Sequence, residues 1–151
     1  MRRKIPIIVC LFLAAGSVLQ AQEQSSPYDS LAVLVGLRLN DLVSRFGVPN
    51  SVYVARGDEA WQDDVVFSYT QGSFFIHRDR VWQVSLDSVP GMKVGDPAAV
   101  ANLVFGDTAR NNGRFFIRQL QVPMEIGWPV AIRVNLENGR IAAIFVYRTD
   151  Y

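Results

Sequence analysis

Val130, Ile132, Val134 and Leu136 alternate strictly with Ala131, Arg133, Asn135 and Glu137, and Asn138-Gly139 follows at once. A period of two puts the first set on one face of a strand and the second set on the other. Asn-Gly supplies two consecutive residues at positive φ, the geometry that folds a strand back beside itself. The chain must therefore hold an antiparallel hairpin with one covered face. Residues 140–148 form its second arm. There Ile141, Ala142, Ala143, Ile144, Phe145 and Val146 do not alternate cleanly, which predicts a strand buried on both faces.

The same period recurs upstream. Val65, Phe67 and Tyr69 alternate with Val66, Ser68 and Thr70. Phe74 and Ile76 alternate with Phe75 and His77, and Trp82, Val84 and Leu86 with Gln83 and Ser85. Gln71-Gly72 and a tight turn near Asp79-Arg80 separate these runs. With residues 51–55 and 115–122, they predict an antiparallel meander of about seven strands. Short helices accompany it. Leu39, Leu42, Val43 and Phe46 lie on one helical face, with Asn40 as N-cap, Gly47 as the stop and Pro49 beyond it. Asp96-Pro97 opens a second helix, with Val100, Leu103 and Val104 on one face and Gly106 closing it.

The stretch from Gly36 to Gly47 has a looser copy from Gly91 to Gly106. Gly72-Ser-Phe-Phe-Ile-His77 and Gly113-Arg-Phe-Phe-Ile-Arg118 also match, at a different offset. The expected fold is α+β: two helix-plus-meander modules, residues 30–89 and 90–151, side by side in one sheet with helices on one face.

Before the modules come a signal peptide, residues 1–21, and a polar leader, residues 22–29. Arg2, Arg3 and Lys4 precede a short apolar run, and Leu19-Gln-Ala21 suits cleavage, predicting a periplasmic or secreted protein. Loss of the three cations leaves 12 basic against 14 acidic residues, a net charge of −2. No basic face suggests nucleic acid as a partner. Cys10 is the only cysteine and lies in the apolar run of the signal peptide, with Val9 before it, which argues against lipidation. Without a thiol the mature chain has no cysteine nucleophile or cysteine metal site.

Residues 36–49 resemble the opening of the BamE/SmpA-type outer-membrane assembly lipoproteins. Gly36, Leu42, Phe46, Gly47 and Pro49 carry the resemblance. The doubled layout resembles the β-lactamase inhibitor protein family. The resemblance implies an envelope protein that binds other proteins. Three features depart from it: no cysteine opens the mature chain, Asn40 starts the helix, and Gly106-Asp-Thr replaces the second Gly-x-Pro.

Chemical equipment is sparse. His77 is the single histidine, and no Gly-x-Ser-x-Gly elbow accompanies it, so no catalytic residues are assigned and a small hydrolase ranks third. Asp58, Glu59, Asp63 and Asp64 lack calcium-loop spacing, so no metal or other cofactor is expected. Arg56-Gly57-Asp58, near Trp61, spells an integrin-type tripeptide, and host adhesion is the alternative function. The leading expectation is a non-catalytic module that binds another envelope or extracellular protein. Phe75, His77, Gln83, Arg118, Arg133 and Asn135 are assigned to its open sheet face.

Overall fold

The computed structural model describes residues 26–57, 63–106 and 109–150. The expected signal peptide, the expected leader up to residue 25, Asp58, Glu59 and Trp61 lie outside the described residues. The fold is α+β. Eight antiparallel strands form the main sheet: β1 (Ser51–Ala55), β2 (Asp64–Tyr69), β3 (Gly72–His77), β4 (Arg80–Leu86), β7 (Arg110–Asn111), β8 (Phe115–Gln119), β9 (Val130–Glu137) and β10 (Arg140–Arg148). Their spatial order is β1-β2-β3-β4-β10-β9-β8-β7. A separate two-stranded ribbon, β5 (Ser88–Val89) with β6 (Met92–Lys93), turns through the Pro90-Gly91 junction. The sheet thus exceeds the expected seven strands. The extra one, β7, forms in what reads as a polar loop, because Arg110 and Asn111 pair with Ile117 and Phe116.

Two short helices cover one face, α1 (Leu39–Phe46) and α2 (Ala98–Phe105). A 3-10 turn, Asp29–Leu34, packs beside them. Leu42 is fully buried, and Phe46 sets its ring 5.1 Å from Phe74 and 5.7 Å from Tyr69. Val43 lies at the rim, 37% exposed, rather than on the buried stripe. In α2 the buried pair is Ala101 and Phe105, while Leu103 is 85% exposed. Of the expected Val100–Leu103–Val104 face, Val100 and Val104 pack partly buried against the core and only Leu103 does not; the Phe105 ring instead packs against Tyr28 and Phe116. Neither expected cap forms. Arg38 and Pro97 occupy the cap positions, and the Asp96 carboxylate accepts from the Lys93 backbone N–H instead. Gly47 ends α1 at φ +79°, as a left-handed stop requires.

Two bulges set which side chains face where. One lies between β3 and β4: Phe75 opposes Gln83 and Ile76 opposes Val81, leaving Trp82 as the extra residue. The other lies in β10, where Ile141 opposes Leu136 but Ala143 opposes Asn135, leaving Ala142 over. The extra residue breaks the alternation. It explains the apolar run of β10, which is buried on one face through Ile141, Ile144 and Val146 and is not a strand buried on both.

The turns of the β9–β10 and β3–β4 hairpins use left-handed backbone. Asn138-Gly139 does so as expected, at φ +51° and +72°. The β3–β4 turn falls at Arg78-Asp79, one residue earlier than expected, at φ +48° and +68°. Among the described residues no helix is long and apolar enough to cross a membrane.

Candidate protein-binding face

The register aligns side chains into rows on the face away from the helices. One row runs Ser51, Ser68, Ser73, Ser85, Phe145, Arg133, Ile117 and Arg110. The next runs Tyr53, Val66, Phe75, Gln83, Tyr147, Ala131 and Gln119. Asn135 lies one step from the first row on the side away from the second, between Ala143 and Phe115. On strands β1 to β4 this face therefore carries a low strip of hydroxyls beside a row in which Tyr53 is exposed, Phe75 is half-buried and Val66 is fully buried. The Ser68 and Ser73 hydroxyls lie 3.4 Å apart. The strip is a product of four strands in register, and no single segment of the sequence displays it.

Arg133 crosses from the strip into the second row. Its guanidinium lies 5.3 Å from the Phe145 ring centre and 5.5 Å from that of Tyr147. Phe145 is directly opposite on β10, so the pairing follows from register. Such cation–π contacts fix a cation on a surface without neutralising it. The Arg133 Nε is buried and has no acceptor among the described residues. The terminal nitrogens of a guanidinium held in this way are suited to meet a carboxylate in a planar, two-pronged pair.

At the other end of the face, Asp64, His77 and Trp82 come together. Asp64 is 8% exposed, and its Oδ1 lies 3.9 Å from His77 Nδ1. Burial pushes the Asp64 carboxyl above the ordinary carboxylate range, with the Trp82 indole N–H and His77 pulling back. Trp82 belongs to this face and not to the core side. The bulge turns it over, and its ring stands edge-on to Phe75 at 6.5 Å. Ser73, on the same face of β3, is four residues from His77, about 13 Å along the strand. The register does not bring these two together as a nucleophile and base.

The raised folded-state value has a stability consequence. Asp64 contributes its full stability below the ordinary carboxylate pKa, and that contribution is lost as pH rises through the raised value. Asp64→Asn keeps an acceptor for the indole and removes the titration. The stability difference between variant and parent should therefore shift in the variant's favour as pH rises from about 3 to about 7. Urea midpoints across that range check it, and a constant difference would contradict it.

Arg118 is not on the open face. It pairs with Ile132 in the row of Phe74, Val84 and Val146, on the helix side. Phe116, two residues before it, is buried, so the period of two carries Arg118 to the same side. Its guanidinium lies 5.9 Å from the Tyr28 ring centre. Arg56 and Gly57 are exposed, and Asp63 engages both: its Oδ2 is 3.2 Å from Arg56 Nη1 and its Oδ1 accepts from the Gly57 N–H. A depression of about 490 Å³ at the free end of β8 includes Arg110, Gln119, Tyr147 and Asp29. The Asp29 carboxylate there is committed to the backbone N–H groups of Ser26 and Gln121.

No known protein family and no curated protein matches the chain. Among solved structures it is similar to an extracellular protein containing a SCP domain from Bacillus anthracis str. Ames. That similarity has 10% identity and a TM-score of 0.49, over 87% of this chain and 49% of the other. The chain thus spans about half the length of that protein.

Proposed function

We propose that this chain is a non-catalytic, exported protein-interaction module of the bacterial cell envelope, an assembly factor or an inhibitor-like binder. The observation that carries this reading is the open face, where Arg133 is clasped by Phe145 and Tyr147 at one end, with Phe75 and Trp82 towards the other and the serine strip alongside. Aromatic and arginine side chains dominate the energetics of protein interfaces, and a flat sheet face suits a protein better than a small molecule. The partner's matching group is a carboxylate at Arg133.

The element order supports the doubled layout. One helix precedes the β1–β4 meander and another precedes β7–β10, and the last strands of the two meanders meet at the centre. This is the arrangement that the resemblance to the β-lactamase inhibitor proteins implies. The charged start and Leu19-Gln-Ala21 support export. Mass spectrometry of the exported protein should find an N-terminus at or near Gln22 without lipid, and an intact Met1 in a membrane fraction would refute it.

Phe75 and Arg133 face away from the helix-covered core, so Phe75→Ala with Arg133→Ala should leave the fold nearly intact. The same double change should abolish retention of an envelope partner in a pull-down. Undiminished retention would place the binding surface elsewhere.

A further inference from the structure

The two edges of the main sheet are unlike. On one side β7 is only two residues long and carries Arg110, and Arg118 and Gln119 follow along β8. These are the usual means of blunting an edge: brevity and charge. On the other side β1 reads Ser-Val-Tyr-Val-Ala, five residues without a charge, a proline or a glycine. Its register with β2 runs unbroken from Ser51↔Ser68 to Ala55↔Asp64, so no bulge bends it away. It ends the sheet, with no strand beyond it among the described residues. Val52, Tyr53 and Val54 are 54%, 48% and 52% exposed. On the helix side Val65, paired with Val54, extends the apolar surface at 41% exposure.

The order of residues in β1 names the occupant. Read in either direction from Tyr53, the strand meets valine and then a small residue. An antiparallel copy centred on Tyr53 would set Tyr53 opposite Tyr53 and each Val52 opposite a Val54. Ser51 would lie opposite Ala55, and beyond them Asn50 opposite Arg56. Within the strand every position then meets a residue of similar size, and no like charges meet. A two-fold contact requires this kind of self-complementarity, and β-branched and aromatic cross-strand pairs are favourable ones.

We propose that β1 pairs edge-to-edge with β1 of a second copy of this chain, about a two-fold axis at Tyr53. The axis stands perpendicular to the sheet, so the two sheets become one and the two open faces lie on the same side. A contact of one short strand belongs to the weak, reversible class of interface.

Cysteine trapping in a Cys10→Ser background reads both the pairing and its register. Facing Cα atoms in an antiparallel pair lie about 4.5–5.5 Å apart, within disulfide reach. Tyr53→Cys should therefore give a covalent dimer on mild oxidation. Ser51→Cys alone should not, because the two copies of position 51 are offset by four residues, about 13 Å. Ser51→Cys mixed with Ala55→Cys should restore the dimer. Sedimentation of the uncross-linked protein over a concentration series should show reversible dimerisation, lost in Tyr53→Lys with its melting curve preserved. Tyr53→Lys mixed with Tyr53→Glu should recover it. Absence of a Tyr53→Cys dimer, equal cross-linking by Ser51→Cys alone, or a monomer at every concentration would each overturn the proposal.

Discussion

Phe74→Ala should destabilise the protein by about 4 kcal/mol, the cost of truncating a well-enclosed aromatic side chain. Phe74 is fully buried and stands where α1 meets the sheet. The Phe46 ring centre is 5.1 Å away and the Tyr69 ring centre 5.6 Å, the latter edge-on at 89°. Phe67 and Val84 flank it on β2 and β4. Truncation removes the shared partner of two other rings, and strands paired on both sides limit collapse into the space. The loss should appear as a lower urea midpoint with an unchanged slope. Phe75→Ala, one residue on but facing the other way, should cost much less. Equal effects for the two would refute the assignment of faces.

Gly36→Ala should cost about 3 kcal/mol, a large penalty for one methyl group. Two terms add. Gly36 has φ +93°, a backbone conformation unfavourable for any residue with a Cβ. A Cβ built there would also lie 2.0 Å from Cζ2 of Trp128. That indole cannot easily withdraw, since it packs on the core between the guanidinium groups of Arg80 and Arg148, whose Cζ atoms lie 5.8 and 4.8 Å from its centre. Arg80 is itself fixed by donating to the Gly36 carbonyl at 3.0 Å. Gly47→Ala is the matched control, because φ is +79° there but nothing lies within 4 Å of the new methyl. The excess of the first loss over the second, read in thermal or urea unfolding, measures the Trp128 contact. A zero excess would show that the indole yields.

Where a local rule decides structure, the sequence is legible here. The alternation of residues 130–137 and the Asn138-Gly139 turn place β9 and open the hairpin, since period and turn chemistry each act over a few residues. Gly47 is legible for the same reason. The bulges are not, because an inserted residue has no compositional mark. Trp82 therefore reads as a core residue from its period and lies on the open face. Arg118 fails the opposite way: its charge suggests the open face, but its guanidinium lies over the Tyr28 ring on the covered side. The serine strip and the clasp around Arg133 depend on which strands become neighbours. Those neighbours are successive hairpin strands, but the alignment of their side chains depends on register, which the extra residues Trp82 and Ala142 shift without leaving a compositional mark.

The pairing of β10 with β4 gives the last strand of the sheet an unusual responsibility. β10 is made after every other strand, yet it sits fourth from one edge and fifth from the other. Until residues 140–148 arrive, β4 and β9 are both bare edges, and two partial sheets face each other without a seam. Val81, Val84, Ile132 and Val134 line the core at that junction. A growing or unfolded chain therefore cannot bank the first half as a finished product and add the second. Loss of residues 140–148 alone would leave β4 and β9 without the strand that joins them.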